Sequence, residues 1–165
     1  MKKIYIDRSL SLFAVALWMA VIFLFSAQSG DNSGDFSGNM IRFIARIFNS
    51  SFEKLTNAEQ NAIIDSLQTL VRKLGHFSEY FILGLLSANA IRTFPLSSLW
   101  KWLAPLIFCI LYAVSDEVHQ YFVPDRAMRF LDCCIDSSGA FCGIFAFIML
   151  SSLFTRIAER KKHLS

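Results

Sequence analysis

Residues 99–120 read Leu-Trp-Lys-Trp-Leu-Ala-Pro-Leu-Ile-Phe-Cys-Ile-Leu-Tyr-Ala-Val-Ser-Asp-Glu-Val-His-Gln. Apolar side chains fill most of the stretch, and its end is a cluster of ionisable groups, Ser115-Asp116-Glu117-Val118-His119-Gln120. A helix needs roughly 20 residues to cross the hydrocarbon core of a bilayer. The run from about Leu99 to His119 supplies them. Three other segments repeat the design. Ser9 to Ala27 holds no charge and ends in Phe25-Ser26-Ala27-Gln28-Ser29. The run from about Leu74 to Ala90 starts in Lys73-Leu74-Gly75-His76-Phe77-Ser78-Glu79-Tyr80, and that from about Cys133 to Phe154 starts beside Asp132 and contains Asp136. If the four segments cross a membrane in alternation, all four polar clusters meet at one face. Ionisable groups at membrane depth are costly, so such a face is a functional-site hypothesis.

Composition points the same way. The 165 residues suit one domain. Hydrophobic residues make up 55% and charged residues 18%, with seventeen phenylalanines. The mean hydropathy is +0.46. Soluble domains carry about 25% charged residues, so an integral membrane protein is expected, an all-α bundle of four transmembrane helices. The first run is too long for a signal peptide, and Phe25 would stand where cleavage after Ala27 needs a small residue. It reads as a retained helix. Cys109, Cys133, Cys134 and Cys142 lie in apolar segments without a Cys-x-x-Cys pair, which favours buried free thiols over a disulfide framework or zinc knuckle. The net charge of +3 comes mostly from basic residues flanking the apolar runs and gives no reason to expect nucleic acid.

Those basic residues set an orientation. Lys2, Lys3, Arg8, Arg92, Lys101, Arg156, Arg160, Lys161 and Lys162 fall on one side; Arg42, Arg46, Lys54, Arg72, Lys73, Arg126 and Arg129 fall on the other. The first group sits in short flanks, where the positive-inside rule has most force. Both termini, including the basic tail 156–165, are expected in the cytoplasm, and the polar face outside. Trp100 and Trp102 are candidate interfacial anchors.

The connection 30–72 is more than a loop. Gly30-Asp31-Asn32-Ser33-Gly34-Asp35 reads as turn chemistry. Met40 to Phe48 is apolar with Arg42 and Arg46 four apart, the pattern of a helix in the headgroup layer. Thr56 and Glu59 match a capping box. Ile63, Ile64, Leu67, Leu70, Val71 and Leu74 then recur at helical spacing, predicting a helix that runs straight into the second membrane segment. Together they predict an amphipathic lid over the outer face.

On that face His76 and Glu79 are i,i+3 on one helix, a turn beyond Arg72 and Lys73. Asp116, His119 and Gln120 share about 100° of arc, with Glu117 further round. Asp132 and Asp136 are i,i+4, and Gly139-x-x-x-Gly143 continues their stripe, allowing a close helix approach. Glu117 and Asp132 could simply reach water. Asp136 lies a turn deeper, where an unpaired charge costs roughly 2.5–3.5 kcal/mol. A salt bridge to Arg126 or Lys73 would account for it.

Several chemistries fit these residues. Histidines and carboxylates could hold a divalent metal that activates water, although no His-Glu-x-x-His spacing is present. Glu79 or Asp116 could act as acid or base, with His76 and His119 polarising or orienting. Lys73, Arg72 and Arg126 would neutralise a phosphate, Gln120, Gln28 and Ser26 would contact substrate, and Asp136, Asp132 and Glu117 would orient the basic groups. The same groups could instead grip a headgroup or cell-wall precursor without breaking a bond. A transporter is disfavoured, since neither a broken-helix pair nor an internal repeat is visible.

The chain resembles the VanZ-like family of small multi-pass bacterial membrane proteins. The resemblance lies in Phe25-Ser26-Ala27-Gln28-Ser29, in 72–80 followed by Leu83-Gly84, in 115–126, and in Asp132, Asp136 and Gly139. It implies a cytoplasmic-membrane protein of the cell envelope associated with resistance to teicoplanin, a lipoglycopeptide acting at cell-wall precursors outside the membrane. Membrane lipid, a lipid-linked cell-wall precursor or the lipoglycopeptide would be its partners. Where the family usually has Pro-Gly-Arg this chain has Pro124-Asp125-Arg126, and Cys133 replaces a small aliphatic residue.

Overall fold

The computed structural model describes residues 2–48 and 51–164, and all regular structure among them is helical. The side chains of Lys2, Lys3, Asp31, Asn32, Lys161 and Lys162, used above for charge or turn chemistry, lie outside the described ones. There are five α-helices: α1 (Lys2–Ser26), α2 (Gly30–Phe48), α3 (Asn57–Ile91), α4 (Ser98–Gln120) and α5 (Phe130–Leu164), with a 3-10 turn at Phe52–Lys54 before α3. Three stretches are long and apolar enough to cross a membrane: Ile4–Ser26, Ser98–Gln120 and Phe130–Arg160. The second half of α3 is interrupted by His76, Glu79 and Asn89 and is not among them. Leu10, Phe13, Leu17 and Leu24 of α1, Leu111 of α4 and Phe141 and Phe145 of α5 are all exposed, giving an outer surface suited to lipid.

Polar side chains fix the helix directions. Arg8 Nη2 donates to Thr93 O (2.7 Å), Asn89 Nδ2 to Ser11 Oγ (3.3 Å) and Trp18 Nε1 to Glu79 O (2.8 Å), so α3 descends antiparallel to α1. Helix α4 runs parallel to α1, since Tyr112 Oη donates to Met19 O at 2.8 Å and the His119 ring stacks on Phe23 with centroids 4.6 Å apart. Helix α5 runs parallel to α3 along a seam of small residues. A Cβ on Gly139 would meet Phe77 O, one on Gly143 Phe81 O, and one on Gly84 Ala140 O. The Gly139-x-x-x-Gly143 stripe therefore does bring two backbones into contact. Val15, Ile22, Tyr80, Leu83, Cys109, Ala113 and Ala140 form the core between the helices.

The capping box is present: Glu59 N donates to Thr56 Oγ1 (3.4 Å), and Thr56 N donates to Glu59 Oε2 (2.9 Å). From it α3 runs unbroken for 35 residues. The expected turn at 30–35 is corrected, because helix α2 already begins at Gly30. Tertiary contacts override the turn propensity there. Gly30 N donates to Pro124 O (3.1 Å), and Gln68 Nε2 of α3 donates to Gly34 O (2.8 Å). All four cysteines are free, but only Cys109 is buried; Cys134 and Cys142 are exposed.

Candidate functional site

The helix directions bring the C-terminal ends of α1 and α4, the start of α5 and the middle of α3 to one end of the bundle. A cavity of about 320 Å³ opens among them. Glu79, His76 and Arg72 reach it from α3, Asp116 and Gln120 from α4, Ser26 and Gln28 from the end of α1, and Arg126 from the α4–α5 loop. Trp18, Phe25, Ile82, Phe36 and Met40 supply apolar walls. The i,i+3 spacing of His76 and Glu79 thus places both on one wall, as the sequence predicts.

Arg126 organises one corner. Its Nη1 donates to Gln120 Oε1 (3.2 Å), and Gln120 Nε2 in turn donates to Asp116 Oδ2 (3.2 Å). Its Nε donates to Gln28 O (3.2 Å) and its Nη2 reaches Phe25 O (3.5 Å), tying the α4–α5 loop to the end of α1. Burial, and then the neighbouring Arg72 guanidinium, lower the Arg126 pKa from its ordinary value. An arginine does not lose its proton for that reason. Burial is the larger cause, and the smaller one reflects the nearby like charge of Arg72, which makes the two guanidinium groups a pair suited to an anion.

Behind the cavity wall, His76 Nδ1 lies 3.4 Å from Asp136 Oδ1. The partner of Asp136 is thus His76, and the expected bridge to Arg126 or Lys73 is corrected: Arg126 is committed to Gln120 and two carbonyls. Glu117 and Asp136 are both 0% exposed. A solvated Glu117 is therefore ruled out by position, and its Oε2 accepts from Arg129 N at 2.8 Å. Asp132 is also buried and lines a small groove with Arg72, His76, Asp125, Arg126 and Arg129.

Two expected site residues stand apart. Lys73 is half-buried and does not line the cavity, where Arg72 stands instead. His119 is stacked on Phe23, and it too is absent from the cavity wall. Among the lining residues that the sequence reading did not place at the site are Ser33, Phe36, Ser37 and Met40, all on α2. Their i, i+3, i+4, i+7 spacing is a helical stripe. It was obscured by reading the first turn of α2 as a loop.

A family model described as VanZ/LLP1 matches residues 11–152, a range that includes every residue of the cavity wall. The chain belongs to the VanZ/LLP1 family. No curated protein and no solved structure matches it. The membership bears out the resemblance read from the sequence. The motifs that carried that resemblance are those this VanZ/LLP1 protein gathers at one end of its bundle. Its unusual Asp125 is accommodated, with φ at 59°. Glycine adopts that left-handed region freely, and aspartate tolerates it better than most residues.

Proposed function

We propose that the cavity receives the anionic headgroup of a lipid-linked envelope substrate at the outer leaflet of the bacterial cytoplasmic membrane, and modifies it. The observation that carries this reading is the meeting of Glu79, Asp116 and His76 in one cavity with Arg72 and Arg126. The two guanidinium groups would hold a phosphate, and Glu79 or Asp116 would move the proton. Phe36 and Met40 of α2 would close the cavity against water as an amphipathic lid. Exposed Phe43, Ile47 and Phe48 would rest that lid in the headgroup layer.

The placement needs α3 to be a fourth crossing, and its partners support this. Glu79, Asn89 and Thr93 bond to α1 at Trp18, Ser11 and Arg8. The second half of α3 thus shares the depth of the span Ile4–Ser26. Both termini then face the cytoplasm, in keeping with the basic flanks. A contribution to teicoplanin resistance would follow from an altered precursor outside the membrane.

The test is mass spectrometry of lipids and cell-wall precursors from cells carrying the native protein, Glu79→Gln, Asp116→Asn or no copy, at matched membrane levels. A mass shift seen with the native protein and lost in both variants is expected. Unchanged lipids alongside a resistance or envelope phenotype that survives both substitutions would sink the catalytic reading. The second reading, binding without chemistry, draws on the hydrogen-bonded Arg126 and predicts that Arg126→Ala harms the phenotype at least as much as either carboxylate change.

A further inference from the structure

We infer that His76, Glu117 and Asp136 form a binding site for one first-row divalent metal ion, behind the wall of the headgroup cavity. One atom from each residue, an imidazole nitrogen and two carboxylate oxygens, lies within 4.8 Å of the other two. Proximity alone would not make a site. The second observation is that the atoms converging here lack hydrogen-bond partners. Both Asp136 oxygens, Glu117 Oε1 and His76 Nδ1 are buried with no hydrogen-bond partner, and Asp136 and Glu117 are 0% exposed. Buried carboxylate oxygens are normally satisfied by hydrogen bonds, paired with a charge or bound to a metal.

Pairing does not supply the missing charge. Among the described residues the ion pairs are Arg46 with Glu53 and His76 with Asp136, so neither lysine nor arginine neutralises the two acids. A dication would. The 3.4 Å between His76 Nδ1 and Asp136 Oδ1 is long for a hydrogen bond, whose N···O mode is about 2.9–3.0 Å. It matches the separation of about 3.4 Å between two tetrahedral ligands that each sit about 2.1 Å from zinc. Glu117 needs to swing inward by roughly an ångström to join them. Its Oε2 is already held by Arg129 N, which leaves Oε1 free to ligate.

The donor set selects the ion. One imidazole with two carboxylates suits zinc, manganese, iron(II) or cobalt, whereas magnesium and calcium favour all-oxygen shells. His76 lines the cavity while Glu117 and Asp136 do not. The ion therefore lies one layer beneath the surface that a headgroup would touch, with His76 common to both. The inference deepens the proposed function by placing a cation beside Glu79 and Asp116, but metal binding is measured without substrate. Neither result decides the other.

The full chain would be purified in detergent without a histidine tag, stripped with chelator and dialysed separately against zinc, manganese, cobalt and magnesium. After desalting, elemental mass spectrometry should find about one first-row ion per chain and at least tenfold less magnesium. Glu117→Gln and Asp136→Asn, verified as helical and monodisperse, should each lose tenfold or more of the bound ion, while Asp65→Asn, an exposed control, should keep it. Cobalt should give visible ligand-field bands without thiolate charge transfer, distinguishing this site from Cys133 and Cys134. Less than about 0.1 ion per native chain at saturating metal overturns the inference. So does an unchanged load in Glu117→Gln, or thiolate bands with cobalt. If Asp136→Asn does not fold, the native stoichiometry and Glu117→Gln decide.

Discussion

Asp125 is the one described non-glycine residue with a positive φ, 59°, and its backbone oxygen stands where a Cβ on Gly30 would go. The α4–α5 turn and the α1–α2 joint are thus pressed together at this point, with Arg126 tied to the end of α1 alongside. Asp125→Gly should leave stability unchanged or raise it slightly. Asp125→Val should cost about 1–2 kcal/mol, because a β-branched side chain is strained in that region; thermal unfolding in detergent would measure both. At this scale the sequence was most informative about which residues matter, since charges in apolar runs stand out. It was least informative about partners. Glu117 could orient a basic group or simply reach water by its sequence, yet it is fully buried, with Arg129 N, Asp136 and His76 around it. Which of two adjacent cations enters the cavity, Arg72 or Lys73, depends on helix rotation by 100° per residue, which one sequence leaves open.

The helices divide into those whose ends are written locally and those fixed by neighbours. Helix α3 belongs to the first kind. The Glu59 carboxylate accepts from the Thr56 backbone N–H and hydroxyl, which hold its pKa below the ordinary 4.5. A depressed folded value means that its contribution is present above the unfolded value and is lost as pH falls through the folded one. Amide protection in the first turn of α3 should therefore drop on acidification below pH 4.5. In Glu59→Gln the protection should be weaker at neutral pH and flat across the same range, as hydrogen exchange corrected for intrinsic rates would register. Helix α2 belongs to the second kind, since its glycine- and serine-rich start is helical only because α3 and the Pro124 carbonyl accept it. The α3–α5 seam lies between the two. Its Gly-x-x-x-Gly signature is legible, but its partner is not. Gly139→Ala should cost about 1–3 kcal/mol, because the new methyl meets backbone that cannot rotate away. Gly75→Ala, with nothing within 4 Å of its added carbon, should instead gain up to about 1 kcal/mol of helix propensity. Paired thermal melts would separate the two effects.

For the whole molecule, the all-helical fold and the gathering of four polar clusters followed from hydrophobic run lengths and their polar ends. The same runs predict four crossings, whereas three stretches are long and apolar enough to span, because α3 combines an apolar half with His76, Glu79 and Asn89. The fourth crossing belongs to the proposed function. Single cysteines placed at Ser97 and Asp35 in a cysteine-free chain should label from opposite sides of the membrane, and one at Ser165 from the same side as Ser97. Labelling of Ser97 and Asp35 from the same side would remove the fourth crossing. One further consequence concerns the lipid itself. Because Gly84, Gly139 and Gly143 lock the backbones of α3 and α5 together, a thinner or thicker bilayer must tilt the two as a unit rather than slide one past the other. The spacing of His76 and Asp136 should accordingly survive changes in acyl-chain length. The cavity walls given by α1 and α2, which lack such a seam, should absorb the mismatch, so membrane composition would tune access to the site while leaving its inner layer undisturbed.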